Sequence, residues 1–130
     1  MLVVDASAAL NACIAKDGFA HYRREQLVAP PLLWPEVRSV LHESAWRREI
    51  PSDLARIGLE RLRAAPIGSR APAELGPEAW RVADALGWAK TYDAEYLALA
   101  ALLRCRLVTV DEALIRGTTH LGYVIRPSAV

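Results

Sequence analysis

Short runs of apolar residues alternate along the chain with longer stretches in which apolar residues recur at helical spacing. The first run, Met1–Val4, is wholly apolar and too short for a helix, which is typical of a strand buried on both faces. A short strand is also expected at the start of 66–77, the least regular stretch, which holds three prolines. The other predicted strands are LVAP, which ends at Pro30 and Pro31, Arg106–Val110 and Tyr123–Arg126.

The stretches between these runs predict helices. The segment after Pro35 carries Val37, Val40, Leu41 and Ala45 at helical spacing, and Ile50-Pro51 interrupts the pattern. Ser52 is the predicted N-cap of the next helix, in which Leu54, Ile57, Leu59 and Leu62 are expected to line one face that is also a possible partner surface. The remaining predicted helices are Ala6–Ala15, Glu78–Lys90, Ala94–Arg104 and a helical turn at Glu112–Arg116.

This alternation of strands and helices predicts the α/β class, as a sandwich with a mainly parallel sheet of about four to five short strands. The length favours one domain over residues 1–130. With 53% hydrophobic and 24% charged residues, the composition has no signature of disorder.

No apolar run is long enough to span a membrane, and no signal peptide is recognisable. Together with only two cysteines, Cys13 and Cys105, this favours a cytoplasmic protein.

Four carboxylates occupy comparable positions in this pattern. Asp5 ends the first strand and Asp111 ends the fourth, Glu36 falls in the first turn of its helix, and Asp93 precedes or opens another helix. In parallel sheets, strand ends and the helix starts that follow them share one edge, and ligands bind in the crevice beyond it. The topology therefore directs all four side chains towards one crevice.

Each carboxylate taken alone has a simpler interpretation as a helix-capping residue, because acids are favoured at helix N-termini. Ser, Thr or Asn would cap as well, yet all four positions carry a carboxylate. Two like charges about 4 Å apart repel by about 4 kcal/mol at an effective dielectric of about 20. Carboxylates that converge must protonate, spread apart or hold a cation, and the joint pattern favours the cation.

Oxygen ligands with room for water suit Mg²⁺ or Mn²⁺ rather than zinc, and His21, His42 and His120 form no zinc-binding pattern. Such an ion in an open crevice can activate water and neutralise a phosphate, which is the chemistry of phosphodiester hydrolysis. Ser7 and Thr109 each lie two residues from an aspartate. They are candidates for positioning water or phosphate, or else ordinary cap and strand residues.

Four segments resemble, in order and over nearly the whole chain, the acidic motifs of PIN-domain ribonucleases, especially VapC-type toxins. These segments are VVDASAAL, PPLLWPEVRSVL, YDAEYLALA and LVTVDEAL. The resemblance implies a PIN-like α/β/α sandwich. It also implies a Mg²⁺- or Mn²⁺-dependent endoribonuclease, the toxin of a type II toxin–antitoxin pair. Such a protein would be a homodimer and would be inhibited by a small antitoxin that inserts a segment near the acidic pocket.

By position, the resemblance makes Asp5 and Asp93 the main metal ligands, with Glu36 and Asp111 completing the acidic set. Glu112 departs from the pattern, because relatives often carry a basic residue after the last aspartate, and substrate contacts near Asp111 are therefore open.

An aspartyl-phosphate phosphohydrolase is disfavoured, since it needs a second acid where this chain has Ser7. The alternative function is a catalytically silent PIN-like module that holds a protein or RNA partner.

The tryptophans offer a further candidate feature, because indole rings can stack on RNA bases. Two of them, Trp80 and Trp88, fall in an Ala-rich stretch that is predicted to be helical. Packing in the core or in a dimer is the favoured interpretation for both.

Overall fold

The strands of the sheet are short and all parallel. In a computed structural model that describes residues 1–130, they are β1 (Leu2–Val4), β2 (Leu27–Ala29), β3 (Ile67–Ser69), β4 (Arg106–Val108) and β5 (Val124–Ile125). Their order in the sheet is β3-β2-β1-β4-β5, and every neighbouring pair is parallel. The predicted α/β class and the parallel sheet are confirmed.

The strand order places a topological switch point in the middle of the sheet. From β1 the chain continues to β2 and β3 on one side, whereas β4 and β5 lie on the other side. The connections therefore leave a crevice outside the carboxyl ends of β1 and β4, the place where ligands bind in open α/β sheets. This edge carries the residues that follow β1 and β4.

Strand β4 is shorter than predicted because side chains end its hydrogen-bond ladder. The segment Arg106–Val110 was expected to be a strand, but β4 ends at Val108, and the last N–H that pairs with a neighbouring strand is that of Thr109, which donates to the carbonyl of Ile125. The N–H of Val110 donates to the hydroxyl of Ser7, and the N–H of Asp111 donates to the hydroxyl of Thr109. Two backbone donors are thus diverted from the neighbouring strand to side chains at the sheet edge.

Six helices flank the sheet; five of them pack in two groups, and α6 contacts β5. Helices α1, α2 and α3 pack against one another, α4 packs against α5, and α5 also contacts β1 and β4. None of them is both long and apolar enough to cross a membrane. The helices are α1 (Ala6–Ile14), α2 (Leu33–Trp46), α3 (Ser52–Arg63), α4 (Leu75–Leu86), α5 (Tyr92–Leu103) and α6 (Glu112–Thr118), and single 3₁₀ turns lie at Ala20–Tyr22, Thr119–Leu121 and Pro127–Ala129.

The start of α3 and its buried face differ from the prediction. Pro51 is the N-cap and Ser52 is already helical, with no side-chain capping bond. Proline suits the cap position because its fixed φ matches the observed −61° and it has no N–H to leave unpaired. Ile57 and Leu59, expected on the inner face, are 47% and 41% exposed, whereas Gly58 is buried against α2.

The predicted helices Glu78–Lys90 and Ala94–Arg104 both begin earlier, at Leu75 and Tyr92. Gly87, in a left-handed conformation with φ of 70°, ends α4 at Leu86. Trp88 therefore lies beyond the helix, not on it, and it packs partly against the core. Trp80 is not packed in the core, since it is 68% exposed, and its expected alternative use, packing in a dimer, stays a prediction.

Candidate active site at the carboxyl edge of the sheet

Asp5 follows β1 directly and is held by hydrogen bonds on both carboxylate oxygens. Its Oδ1 accepts bonds from the hydroxyl of Ser7 at 2.7 Å and from the N–H of Ala8 at 2.9 Å. Its Oδ2 accepts a bond of 2.5 Å from the hydroxyl of Thr109. Only 5% of the residue is exposed, so these donors replace most of the water that a carboxylate would otherwise bind.

Ser7 and Thr109 connect the ends of the two central strands through this carboxylate. The two hydroxyl oxygens lie 3.1 Å apart, and each also accepts a backbone N–H from the segment after β4. Thr109 is fully buried, so its hydroxyl faces Asp5 and the backbone rather than the open crevice. In this geometry both hydroxyls position the carboxylate of Asp5.

Asp111 is the N-cap of α6 and uses one carboxylate oxygen for that purpose. Its Oδ1 accepts bonds from the N–H groups of Ala113 at 2.9 Å and Leu114 at 3.1 Å. Asp5 caps α1 in the same way through Ala8. The capping interpretation is therefore correct for these two aspartates, although each uses only one carboxylate oxygen for its cap.

Glu36 and Asp93 lie in first helical turns but cap nothing. The N-cap positions of their helices are Leu32 and Thr91, and neither helix has a side-chain capping bond. Burial raises the pKa of Glu36 to about 7, and the negative charges of Asp93 and Asp5 add to the effect. The two carboxylates are therefore close enough to affect each other's charge, and helix capping does not explain why they are there.

The pKa shifts connect all four predicted carboxylates. Burial raises the pKa of Asp5, and the charge of Asp93 raises it further against the opposing hydrogen bonds. The pKa of Asp93 is raised by burial and then by the charge of Asp111. The charges of both Asp93 and Asp5 raise the pKa of Glu36. The structure thus brings residues from four separate segments to one edge of the sheet.

Tyr96 belongs to the same neighbourhood and was not predicted from the sequence. Its hydroxyl donates a 3.4 Å hydrogen bond to Oε2 of Glu36, and only 1% of the residue is exposed. Burial and the charges of Glu36, Asp5 and Asp93 raise its pKa far above the usual range, so it remains a protonated donor. The signal was its position three residues after Asp93, on the same face of α5.

The four carboxylates are not arranged so that three or more of them could contact one metal ion directly. No group of three or more His, Cys, Asp or Glu side chains stands close enough together to hold a metal ion. Mg²⁺ is commonly bound by only one or two carboxylates and keeps several of its waters. The candidate ligands here are all carboxylate oxygens. They suit an ion that contacts one or two of them directly and reaches the others through water.

Comparison with known proteins identifies the family. The PIN domain model matches residues 2–118. The chain therefore belongs to the PIN-domain family, and within it to the VapC type that the following relatives represent. The VapC ribonuclease Mb0985 of Mycobacterium bovis and the ribonuclease VapC9 of Mycobacterium tuberculosis are each 36% identical to this chain over 113 residues, which cover 85% of this chain and 86% of theirs.

The fold has a counterpart among solved structures. The crystal structure of PAE2754 from Pyrobaculum aerophilum matches with a TM-score of 0.77 and 27% sequence identity, over 98% of this chain and 91% of that one. Together with the PIN domain match and the parallel sheet, this confirms the expected PIN-like sandwich.

Proposed function

We propose that this protein is a divalent-metal-dependent endoribonuclease and the toxin of a type II toxin–antitoxin pair. The observation that carries the proposal is the set of four carboxylates, Asp5, Glu36, Asp93 and Asp111, gathered where the sheet has its switch point. The ribonuclease names of the VapC relatives support RNA as the substrate. The alternative, a silent binding module, would require no such concentration of negative charge.

In this proposal Asp5 and Asp93 hold Mg²⁺ or Mn²⁺, and Glu36 and Asp111 complete the acidic set directly or through water. When bound, the ion lowers the pKa of water and neutralises charge on the phosphate. Hydrolysis adds water at phosphorus and breaks one phosphorus–oxygen bond of the RNA backbone. Ser7 and Thr109 fix the orientation of Asp5, and Tyr96 does the same for Glu36.

The direct test is cleavage of RNA by the wild type and by Asp5→Asn and Asp93→Asn, with Mg²⁺, with Mn²⁺ and with EDTA. Asparagine caps a helix as well as aspartate does, so Asp5→Asn removes the charge while keeping the cap of α1. Loss of metal-based charge stabilisation is worth several kcal/mol, so we expect activity to fall by a factor on the order of a thousand. Asp84→Asn, at an exposed position of α4, is the matched control and should cleave normally.

Full cleavage in EDTA would overturn the metal dependence, and undiminished cleavage by both aspartate variants would overturn the assigned roles. Absence of cleavage by the wild type with either metal, together with retained RNA or protein binding, would favour the silent module.

The partners in this proposal are RNA, a small antitoxin and a second copy of the chain. Large apolar side chains are exposed on α2 and α3, among them Trp46 at 78% and Ile57 at 47%, and they offer surface for a protein partner. Light scattering should give a mass about twice the 14.3 kDa of one chain. The product of a short reading frame beside the gene should inhibit cleavage.

We also propose a cytoplasmic location, where RNA is available. The free thiols of Cys13 and Cys105 suit a reducing compartment.

A further inference from the structure

A groove of about 870 Å³ leads away from the acidic edge, and Glu36 and Asp93 form part of its wall. One side of it comes from the start of α2, with Pro35 and Ser39. The other side comes from the segment that joins α4 to α5 and from the first turn of α5. We call this groove the α4–α5 groove.

Two aromatic rings line this groove. Tyr92 is 59% exposed and its hydroxyl makes no hydrogen bond to the protein. Trp88 packs partly against the core, which holds its indole in place at the groove wall. An exposed aromatic ring and a partly buried one that line the same groove provide surfaces on which planar groups can stack.

Lys90 lies between these rings in sequence and is the cation that lines the groove. It is exposed and forms no ion pair, although Glu36 and Asp93 line the same groove. The chain has only one other lysine, Lys16, which follows α1 and does not line the groove. An unpaired ammonium in a groove with aromatic walls is suited to bind a phosphate whose attached base stacks nearby.

We propose that the α4–α5 groove binds the single-stranded RNA adjacent to the bond that is cut, with bases on Tyr92 and Trp88 and a backbone phosphate on Lys90. This inference rests on the proposed function, because it takes the acidic edge as the place of cleavage. The groove is continuous with that edge, so a strand bound along it reaches Glu36 and Asp93. Stacking on side chains requires unpaired bases, so duplex RNA is excluded from this mode of binding.

The experiment measures kcat and KM for cleavage of a short single-stranded RNA. It also measures equilibrium binding of that RNA to the same variants in the cleavage-impaired Asp5→Asn background. Tyr92→Ala should raise KM and weaken binding by about tenfold or more, as for other stacked bases. Lys90→Gln should weaken binding and reduce the slope of log affinity against log salt by about 0.7. In both variants kcat should stay near that of the wild type.

The controls separate stacking and charge from general damage. Tyr92→Phe keeps the ring and should retain most of the affinity that Tyr92→Ala loses. Lys16→Gln removes the same charge outside the groove and should leave KM and the salt slope unchanged. A duplex of the same sequence should bind more weakly than the single strand, and with no dependence on Tyr92.

The outcomes show whether the RNA-binding role of the groove fails or the proposed nuclease function fails. If the wild type cleaves RNA but Tyr92→Ala and Lys90→Gln bind and cleave as it does, the groove assignment is wrong and the nuclease stands. That assignment is also wrong if these variants impair only binding of a protein partner, or if duplex and single strand bind alike through Tyr92. If the wild type cleaves nothing but binds single-stranded RNA through these residues, the groove stands and the nuclease fails.

Discussion

At the scale of single residues, Asp5 caps a helix and is at the same time the most constrained carboxylate of the acidic edge. Its carboxylate caps α1 through Ala8 and is also fixed by the hydroxyls of Ser7 and Thr109. Capping alone would not need a carboxylate, and hydrogen bonds alone do not lower its pKa enough to offset burial and the charge of Asp93. Burial and the charge of Asp93 therefore disfavour its charged form, and a bound cation would offset that cost.

Thr109→Val tests the positioning of Asp5. Valine keeps the shape of the buried side chain but removes the donor to Oδ2 and the acceptor for the N–H of Asp111. Loss of an outer partner of a metal ligand commonly costs about 10- to 100-fold in activity or metal affinity, so RNA cleavage should fall by that factor.

Thr118→Val is the matched control, because Thr118 is also fully buried and bonds only to the carbonyl of Leu114. It should lower stability and leave cleavage per folded molecule unchanged. Equal losses of activity in the two variants would mean that Thr109 acts through stability alone.

Tyr96→Phe tests the hydrogen bond to Glu36. That bond lowers the pKa of Glu36, against burial and the neighbouring charges that together raise it to about 7. Removing the hydroxyl should therefore move the midpoint above the wild-type value, as followed by NMR titration of the Glu36 carboxyl in metal-free protein. Tyr123→Phe, whose hydroxyl bonds to the carbonyl of Leu97, should leave the midpoint in place. An unchanged midpoint in Tyr96→Phe would contradict the contact.

At the scale of elements, the sequence predicted which segments are helices and strands better than where they begin. The apolar run at the start of the chain gave β1 almost to the residue, because Leu2, Val3 and Val4 are all buried. The start of α4 was missed, since Gly76 and Pro77 read as loop although proline is tolerated in a first turn. The inner face of α3 was also misjudged, because it is centred on Gly58, which has no apolar side chain to signal it.

Gly58→Val tests how α3 supports α2, the helix that carries Glu36. A Cβ at position 58 would lie 2.9 Å from Cδ2 of Leu41, which is itself buried, so a branched side chain must push the two helices apart. Overpacking of this kind costs about 1–3 kcal/mol of unfolding free energy. Gly76→Val, in α4 where nothing lies within 4 Å, should change the stability little. Equal denaturation midpoints for the two variants would contradict this account of the packing.

At the scale of the whole molecule, parallel topology is what made the shared location of the four carboxylates predictable. Asp5, Glu36, Asp93 and Asp111 are distant in sequence, but each follows a strand or opens a helix, and those positions share one edge of a parallel sheet. The bonds of Ser7 and Thr109 to Asp5, and of Tyr96 to Glu36, were beyond reach because they depend on side-chain directions in three dimensions. One domain over residues 1–130 remains a prediction.

The charge cluster predicts an unusual dependence of stability on pH in metal-free protein. Folding raises the pKa of Glu36 from 4.5 to about 7, so the folded state binds more protons than the unfolded state in this interval. Stability should therefore fall as the pH rises from about 4.5 to 7. Chemical denaturation in EDTA should show this fall, and Glu36→Gln should reduce it. Glu49→Gln, at an exposed position, should not, and identical curves for all three proteins would contradict the prediction.

The most direct test of the account is whether a divalent cation relieves this repulsion. At pH 8, Mg²⁺ or Mn²⁺ at a hundred times its Kd should stabilise the wild type by about 2.7 kcal/mol, seen as a rise in Tm. Asp5→Asn and Asp93→Asn should lose most of that rise, while Asp84→Asn keeps it. The same rise in all four proteins, or none in the wild type, would contradict the claim that these carboxylates form a cation site.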